Sequence, residues 1–418
     1  MCRFDILSAI AAAALAGVVL MMFSDQRYLA PAVPAVAFTV YALARPRTAT
    51  LALIPLGMLI SVAFEWGLAR EVNISQVTVA IVSGGICVVG VGVAVHWMSG
   101  RLQLNTEHLI VAGLAALVLV SYLAPPVAAS PLAGDRHFPG LLVCLLMLAI
   151  AAVVAPKPAH VLQLLVWCSV AVALFAFSRG LYGGNGRLYT EVYYSTWLGI
   201  IEGPALVACA GLAYVRRTWF WLAPGLVCLA CVLAAGARSG MLAALVGVTF
   251  VLMAGRQGLW RYLLPVVLAA GAVLALTAGS SADDLLAPMR EGSSIASSDM
   301  HRTGLMLSSL DMIAQHPLRG VGYGNLVGMI DVVYGARTGA HNDYIRLAAE
   351  NGLPALALFL LLVVRGVRPR QEGDAAVVRA VVVSCLVWIG TDVALPHPVI
   401  SVSFWIPLGC LLAMRAAR

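Results

Sequence analysis

Apolar segments of about 20 residues recur from one end of this 418-residue chain to the other. Coiled as an α-helix, such a segment matches the hydrocarbon thickness of a bilayer, and this length limits the chain to few architectures. Composition agrees: 61% of the residues are hydrophobic and 11% charged, against about 25% charged in soluble domains. The mean hydropathy is +0.94. Disorder requires low hydrophobicity and high charge and is excluded. An ordinary soluble enzyme is excluded too, and so is a protein held by one helix. The remaining reading is an all-α, polytopic helical membrane protein.

Length and apolarity mark about fourteen spans. They cover residues 6–23, 29–44, 49–66, 76–96, 108–123, 139–155, 160–178, 192–214, 219–236, 239–254, 261–279, 344–366, 376–395 and 399–415. Several are short, so the expected number is about 12–14. Arg3 precedes the first run, but its small residues lie inside it and Ser24 to Tyr28 is not a convincing cleavage region. The expectation is a retained helix rather than a signal peptide.

The net charge of +7 is almost all arginine. No basic run carries interleaved aromatics, so the charge does not point to nucleic acid. Topology explains it instead. With the N-terminus inside, the inner segments carry Arg3, Arg45, Arg47, Arg101, Lys157, Arg216, Arg217, Arg256, Arg261, Arg365, Arg368, Arg370, Arg379, Arg415 and Arg418. The short outer loops carry Arg27, Arg70, Arg136, Arg179, Arg187 and Arg238. This bias satisfies the positive-inside rule and places both termini in the cytoplasm. The chain has nine cysteines, and all but Cys2 lie in apolar segments. Cys228 and Cys231 form a CxxC inside apolar sequence and read as small core residues. No disulfide is expected.

One outer connection is long, polar and rich in glycine and serine, Ser280 to Asn342. Loops of this length are usually functional. It contains a helix with Ser297 or Ser298 as its cap, Asp299 in its first turn and Pro317 at its end. Arg302, Met306, Leu310 and Ile313 fall on one face of it. An arginine on an apolar stripe should point toward the membrane domain.

Four groups can carry chemistry. Arg238, in Ala237-Arg238-Ser239-Gly240, sits in a tight connection between two spans, at the depth of the lipid headgroups. It can bind phosphate through its planar fork or merely snorkel as an anchor. In His316-Pro317-Leu318-Arg319-Gly320-Val321-Gly322-Tyr323-Gly324-Asn325, alternate glycines allow a ligand approach or form a structural turn. They do not make a dinucleotide fingerprint. His341-Asn342-Asp343-Tyr344 follows, and either Asn342 or Asp343 can cap a helix that Gly352 ends, with Pro354 opening the next span. Arg346 and Glu350 form a structural i, i+4 pair. His341 is either an interface residue or a base for an acceptor hydroxyl.

Glu202 and Asp392 are acids within spans and are expensive there. Glu202 precedes Gly203-Pro204 and can instead satisfy backbone donors at a kink. Asp392 precedes Pro396-His397-Pro398 and reaches toward the outer site, where Arg179 and Arg187 add positive charge. No HExxH, DxD, Walker or GxSxG motif occurs. Arginines and histidine without clustered carboxylates suit an anion held without a metal or cofactor.

In this order, Arg238-Ser239-Gly240, Arg302, the 316–325 block, and His341-Asn342 leading to Glu350-Asn351-Gly352-Leu353 resemble the O-antigen ligase / O-antigen polymerase superfamily. The resemblance covers roughly Phe220 to Leu412. It implies a glycosyltransferase-C-like membrane enzyme of the bacterial inner membrane. The donor would be a glycan on undecaprenyl pyrophosphate, transferred at the periplasmic face to a second glycan or to lipid A–core. It also implies Arg238 and Arg302 as functional arginines and His341 as the catalytic histidine. Arg179, Arg187, Arg319, Tyr323, Asn325, Asn342 and Asp392 are the expected substrate contacts. The long loop 280–342 would carry part of the site within one membrane domain. Membrane lipids, a flippase or a chain-length regulator are the partners such a protein would have.

The span number leans toward a polymerase of O-antigen or exopolysaccharide, with a ligase as the alternative. A lipid or polysaccharide transporter is the rival of a different class. Transporters place broken helices and substrate charges near the bilayer midplane, whereas here the polar groups cluster at one face.

Overall fold

The computed structural model describes residues 32–67, 74–100, 105–126, 140–182, 187–190, 193–253, 295–334, 341–368 and 372–416. The expected spans 6–23 and 261–279, and loop residues 280–294 and 335–340, lie outside the described residues. Helices α1 (Ala32–Ala44), α2 (Pro46–Gly67) and α3 (Ile74–Met98) lead to α4 (Thr106–Leu123), α5 (Gly140–Val154) and α6 (Pro158–Arg179). A short antiparallel ribbon, β1 (Leu181–Tyr182) with β2 (Leu188–Tyr189), precedes α7 (Ser195–Arg216). A 3₁₀ turn, Trp219–Trp221, opens α8 (Leu222–Ala235), and α9 (Arg238–Met253) follows. The remaining helices are α10 (Ile295–Gln315), α11 (Leu326–Tyr334), α12 (Asp343–Asn351), α13 (Leu353–Val367), α14 (Asp374–Ile389) and α15 (Val402–Ala416).

Among the described residues, four segments are long and apolar enough to cross a bilayer: Val79–Met98, Thr106–Leu123, Pro158–Arg179 and Ser195–Arg216. Five shorter apolar helices accompany them. Their outward faces stay apolar, with Leu109, Leu123, Leu226 and Val364 exposed. Water would not tolerate so continuous an apolar surface, but lipid does. The chain is an all-α polytopic membrane protein.

Helix α7 packs on α8, α9 and α14, and α9 packs on α14. Helix α15 contacts α5, α13 and α14, while α2 bridges to α3 and α6. Small residues permit the tightest crossing. A Cβ on Gly240 would stand 2.5 Å from the Gly199 carbonyl oxygen, and one on Gly203 would stand 2.8 Å from the Gly240 oxygen. Backbones approach this closely only where side chains are absent. Gly240 therefore seats the start of α9 directly on α7.

Contacts between helix termini sort them into two ends. At one, Arg216 closing α7 binds Asp374 opening α14 (Nε–Oδ1 3.2 Å, Nη2–Oδ2 2.9 Å). There too, Glu107 in the first turn of α4 receives Nε and Nη2 of Arg365, each at 2.7 Å, and Arg415 Nε at 3.6 Å. Asn105 caps α4 through the N–H groups of Glu107 and His108, and His108 Nδ1 accepts the Asn105 N–H in return. That reciprocal cap aims the Glu107 carboxylate at the arginines. At the opposite end, Arg319 donates to the Ala124 carbonyl after α4 at 2.8 Å, and Arg187 to the Gly236 carbonyl after α8 at 2.6 Å. The first end thus holds arginines that charge bias assigns to one side, and the second end those it assigns to the other.

The Glu107 carboxylate is nearly buried, with 4% of its side chain exposed. Arg365→Ala leaves it with Arg415 alone. The expected loss is about 2 kcal/mol, read as a lower unfolding midpoint in detergent.

Several expectations are corrected. Residues 344–366 are not one span: Gly352 (φ +85°) breaks them into α12 and α13. Ser297 and Ser298 lie inside α10 rather than capping it. The buried side of α10 runs through Leu305, Ser309 and Met312, while Leu310 is exposed. This side meets Val321, Leu326, Ile330 and Ala349, so α10 packs on its own neighbouring loop and helices. Arg379 is no loop charge: it is buried in α14 with its guanidinium 4.9 Å from the Phe250 ring centre on α9. Neither carboxyl oxygen of Glu202 receives a backbone N–H among the described residues, so it does not satisfy a kink. The ribbon β1–β2 departs from an otherwise helical chain.

Candidate active site

The site end is built around a crossing of two backbones. The 316–325 loop wraps the end of α12, with the Val321 and Gly322 N–H groups donating to the Ala349 and Glu350 carbonyls at 2.7 and 3.1 Å. Leu353 N–H donates to the Pro317 carbonyl at 2.8 Å. These bonds satisfy carbonyls that a helix end leaves open. A Cβ on Gly320 (φ +64°) would lie 2.5 Å from the Ala349 oxygen, and one on Gly352 would strike the Leu318 carbonyl. The alternate glycines therefore serve the crossing itself.

The loop also anchors to the bundle. Tyr323 is buried, and its hydroxyl accepts the Leu141 N–H at the start of α5 at 3.3 Å. Burial pushes its phenol above the ordinary range. Asn325 is fully buried and donates from Nδ2 to the Val321 carbonyl at 2.9 Å. Ser121 Oγ on α4 donates to the Glu350 carbonyl at 2.7 Å. Arg319 is exposed and engages Ala124 as described above.

His341 immediately precedes α12 and adopts φ +47°. A non-glycine residue in the left-handed region is uncommon and strained, and such strain gathers at functional sites. Its Nδ1 lies 3.7 Å from Asp392 Oδ1, with 33% and 11% of the two side chains exposed. Asn342, not Asp343, is the cap of α12: its Oδ1 accepts the Ile345 N–H at 3.1 Å. Its Nδ2 donates to the Gly390 carbonyl after α14 at 2.9 Å.

Asp343 was missed as a candidate because its type and position read as a helix cap. It is buried, and its Oδ2 accepts the N–H groups of Ala394 and Leu395 at 2.9 and 2.7 Å. Burial raises its pKa to about 7, against the opposing pull of Arg346 and the two N–H donors, with Asp392 adding to the rise. The Arg346–Glu350 pair forms as spacing foretold, at 3.2 Å with 9% and 2% of the side chains exposed. A small pocket beside it is lined by Tyr323, Asp343, Arg346, Glu350 and Asn351, among others.

The segment after α14 links these residues to α7. His397 packs against Trp197 of α7 with ring centres 4.9 Å apart and planes tilted by 49°. Gly199 and Gly203 of α7 lie against Ala237 and Gly240 and so hold the start of α9, which begins at Arg238. Arg187 lies across Gly236 and donates to its carbonyl, which braces the corner two residues before Arg238. Arg179, in the last turn of α6, is exposed with its guanidinium 5.8 Å from the Phe175 ring centre. Arg302 lies within α10, and its side chain falls outside the described residues.

This end of the bundle thus carries two groups at helix termini, Arg187 with Arg238 where α9 begins, and Asn342, His341 and Asp392 between α12 and α14. Such a surface can hold an anion by charge and accept a proton from a hydroxyl. Among the described residues no cluster of three histidine, cysteine or acidic side chains is placed to hold a metal ion.

No curated protein matches the chain. A family match does exist, and it supports glycan transfer of the ligase or polymerase type by a membrane protein acting on lipid-linked glycans. Residues 223–360, from the start of α8 into α13, match the O-antigen ligase family model and tie this stretch of the chain, with Arg238, Arg302 and His341 in it, to the O-antigen ligase superfamily.

Proposed function

We propose that the chain transfers a glycan from undecaprenyl pyrophosphate to an acceptor hydroxyl at the periplasmic face of the inner membrane. The observation that carries this reading is the strained His341, whose Nδ1 stands 3.7 Å from Asp392 Oδ1 at the end of the bundle that also carries Arg238. With Nδ1 turned to the carboxylate, proton transfer falls to Nε2. The acceptor oxygen forms a bond to the anomeric carbon and gives its proton to His341. The bond from that carbon to the phosphate oxygen breaks, and the lipid pyrophosphate leaves with the electron pair. Arg238 and Arg302 stabilise charge on the leaving group, so no metal is needed. Attack opposite the leaving group inverts the anomeric centre.

In this reading Arg187, Asn342 and Asp392 hold the reacting residues, while Arg179 adds positive charge at the headgroup level. Arg319, Tyr323 and Asn325 form the loop against which the glycan lies. The 280–342 segment is then the outer loop of a single membrane domain whose termini are cytoplasmic.

Extension of a surface polysaccharide by a second lipid-linked repeat is the first reading. Transfer to lipid A–core is the second, favoured by the description of the matching family as O-antigen ligase. Purified protein supplied with an undecaprenyl-pyrophosphate-linked repeat, with and without lipid A–core, separates them. Longer lipid-linked chains from the repeat alone identify a polymerase, and product only on lipid A–core a ligase. His341→Ala should reduce transfer by about 100-fold or more while donor binding persists, and undiminished transfer would exclude the mechanism.

A further inference from the structure

Asp343 makes its hydrogen bonds to the protein backbone. The residue is 2% exposed, and its Oδ2 gathers two N–H groups, from Ala394 and Leu395. Both belong to the irregular turn 390–400, which carries Asp392. Other side chains also shape this turn: Asn342 holds Gly390, Trp405 Nε1 donates to the Leu395 carbonyl at 3.0 Å, Asp392 Oδ1 accepts its neighbour's N–H at 2.8 Å, and Thr391, Ser401 and Ser403 donate to carbonyls at its two ends. A carboxylate oxygen shared by two backbone donors is among the stronger neutral-to-charged hydrogen-bond arrangements. It ties the turn to the first turn of α12, two residues from His341.

We propose that Asp343 is a positioning residue for transfer: its buried carboxylate clamps the 390–400 turn onto α12 so that Asp392 stays opposite His341. The proposal rests on the assignment of His341 and Asp392 to the transfer site above.

The charges around the clamp set its pH response. Arg346 on α12 favours the carboxylate, and Asp392 on the turn opposes it. Glu350 and Tyr323 line the same pocket from α12 and the loop, and the buried Cys144 thiol on α5 lies within electrostatic reach of Asp343. Burial dominates and places the titration at about 7, against an ordinary 3.8. As pH falls through about 7 the carboxyl takes up a proton, and its hold on the two N–H groups weakens. Stability runs the other way. A carboxyl whose folded pKa exceeds its unfolded value binds more protons when folded, so the folded state loses stability as pH rises from 3.8 to about 7. The ionised clamp thus lowers stability while it orders the site.

The test uses the full chain in detergent as wild type, Asp343→Asn, Asp343→Ala and Asp392→Asn. Asparagine keeps the shape and one acceptor oxygen but no charge. The first readout is the rate at which diethyl pyrocarbonate modifies His341, followed by peptide mass spectrometry without substrate. Asp343→Asn should change that rate by about threefold or more, in the same direction as Asp392→Asn. The second is thermal unfolding: at pH 8 Asp343→Asn should melt at or above the wild type, whereas Asp343→Ala melts below it. The third is transfer with an undecaprenyl-pyrophosphate-linked oligosaccharide as probe. There kcat should fall by about tenfold or more with KM within about twofold, and the decline of kcat with falling pH should be shallower than in the wild type, since only the contribution of His341 remains.

A wild-type labelling rate and kcat in Asp343→Asn would overturn the clamp. So would equal destabilisation at pH 6 and pH 8, which marks a packing residue. If the wild type transfers nothing, the transfer reading fails, while labelling and unfolding still decide the clamp.

Discussion

Replacing Arg238 by alanine is expected to lower glycan transfer by about 100- to 1,000-fold, with the helix content of the chain unchanged. The magnitude follows from preorganisation. Arg238 is the first residue of α9, where the helix dipole adds positive potential to the guanidinium. Gly240, two residues on, is pressed against Gly199, so this helix end cannot drift. Arg187 braces the preceding corner through the Gly236 carbonyl at 2.6 Å. An arginine whose backbone is fixed this firmly is well placed to bind pyrophosphate and to meet the charge that grows as the bond breaks. Lysine offers a point charge without the bidentate fork, so Arg238→Lys should recover only part of the rate. Transfer from an undecaprenyl-pyrophosphate-linked oligosaccharide, with circular dichroism as the control for folding, measures both variants. Full activity in the alanine variant would remove Arg238 from the mechanism.

Gly320→Ala and Gly352→Ala should each destabilise the protein by about 2 to 5 kcal/mol. The positive-φ backbone of each, which for Gly352 (φ +85°, ψ 164°) is a region left essentially to glycine, accounts for about 1–2 kcal/mol of this and the clash for about 1–3 kcal/mol. Both glycines have positive φ, and an added Cβ meets backbone rather than a side chain that could turn aside. Gly320 faces the carbonyls of α12, and Gly352 faces Leu318 in the loop, so each variant pushes the two crossing strands of chain apart. Native folds hold only about 5–15 kcal/mol in all. Lower unfolding midpoints in detergent and weaker expression are the expected readouts. Transfer should fall as well, because the crossing sets the start of α12 and hence His341. A variant with an unchanged midpoint would show that the loop can leave α12 at little cost.

The helices were legible because lipid imposes one simple rule. Runs such as 108–123 and 160–178 had to be apolar for a bilayer's thickness, and the helices observed, Thr106–Leu123 and Pro158–Arg179, follow them closely. Where that rule did not apply, the reading slipped. Residues 344–366 are apolar enough for one span, but the backbone breaks at Gly352 to let the 316–325 loop cross. The stripe through Met306 and Leu310 has helical spacing, yet the buried side of α10 is set by Leu305, Ser309 and Met312. Spacing reveals an amphipathic helix but not which neighbour it will meet.

The candidate site divides in the same way. Arg238 and His341 stood out because charge and imidazole are costly at a membrane surface and were placed at span ends. Arg187, Tyr323 and Asn325 also stood out, and their described contacts brace a corner and a loop. Asp343 looked like a cap, since the partners that define it lie about fifty residues away at Ala394 and Leu395.

The amino-acid sequence alone determined that the chain is a helical membrane protein, where most of its spans run, and which few polar side chains sit at their ends. These follow from local composition, because each span satisfies its own backbone in lipid. Only the tertiary structure decided that the glycine block is a crossing point, that His341 is strained beside Asp392, and that Asp343 ties their segments together. Those facts depend on contacts between residues far apart in the chain, and no local pattern of residues encodes which distant backbone will arrive there.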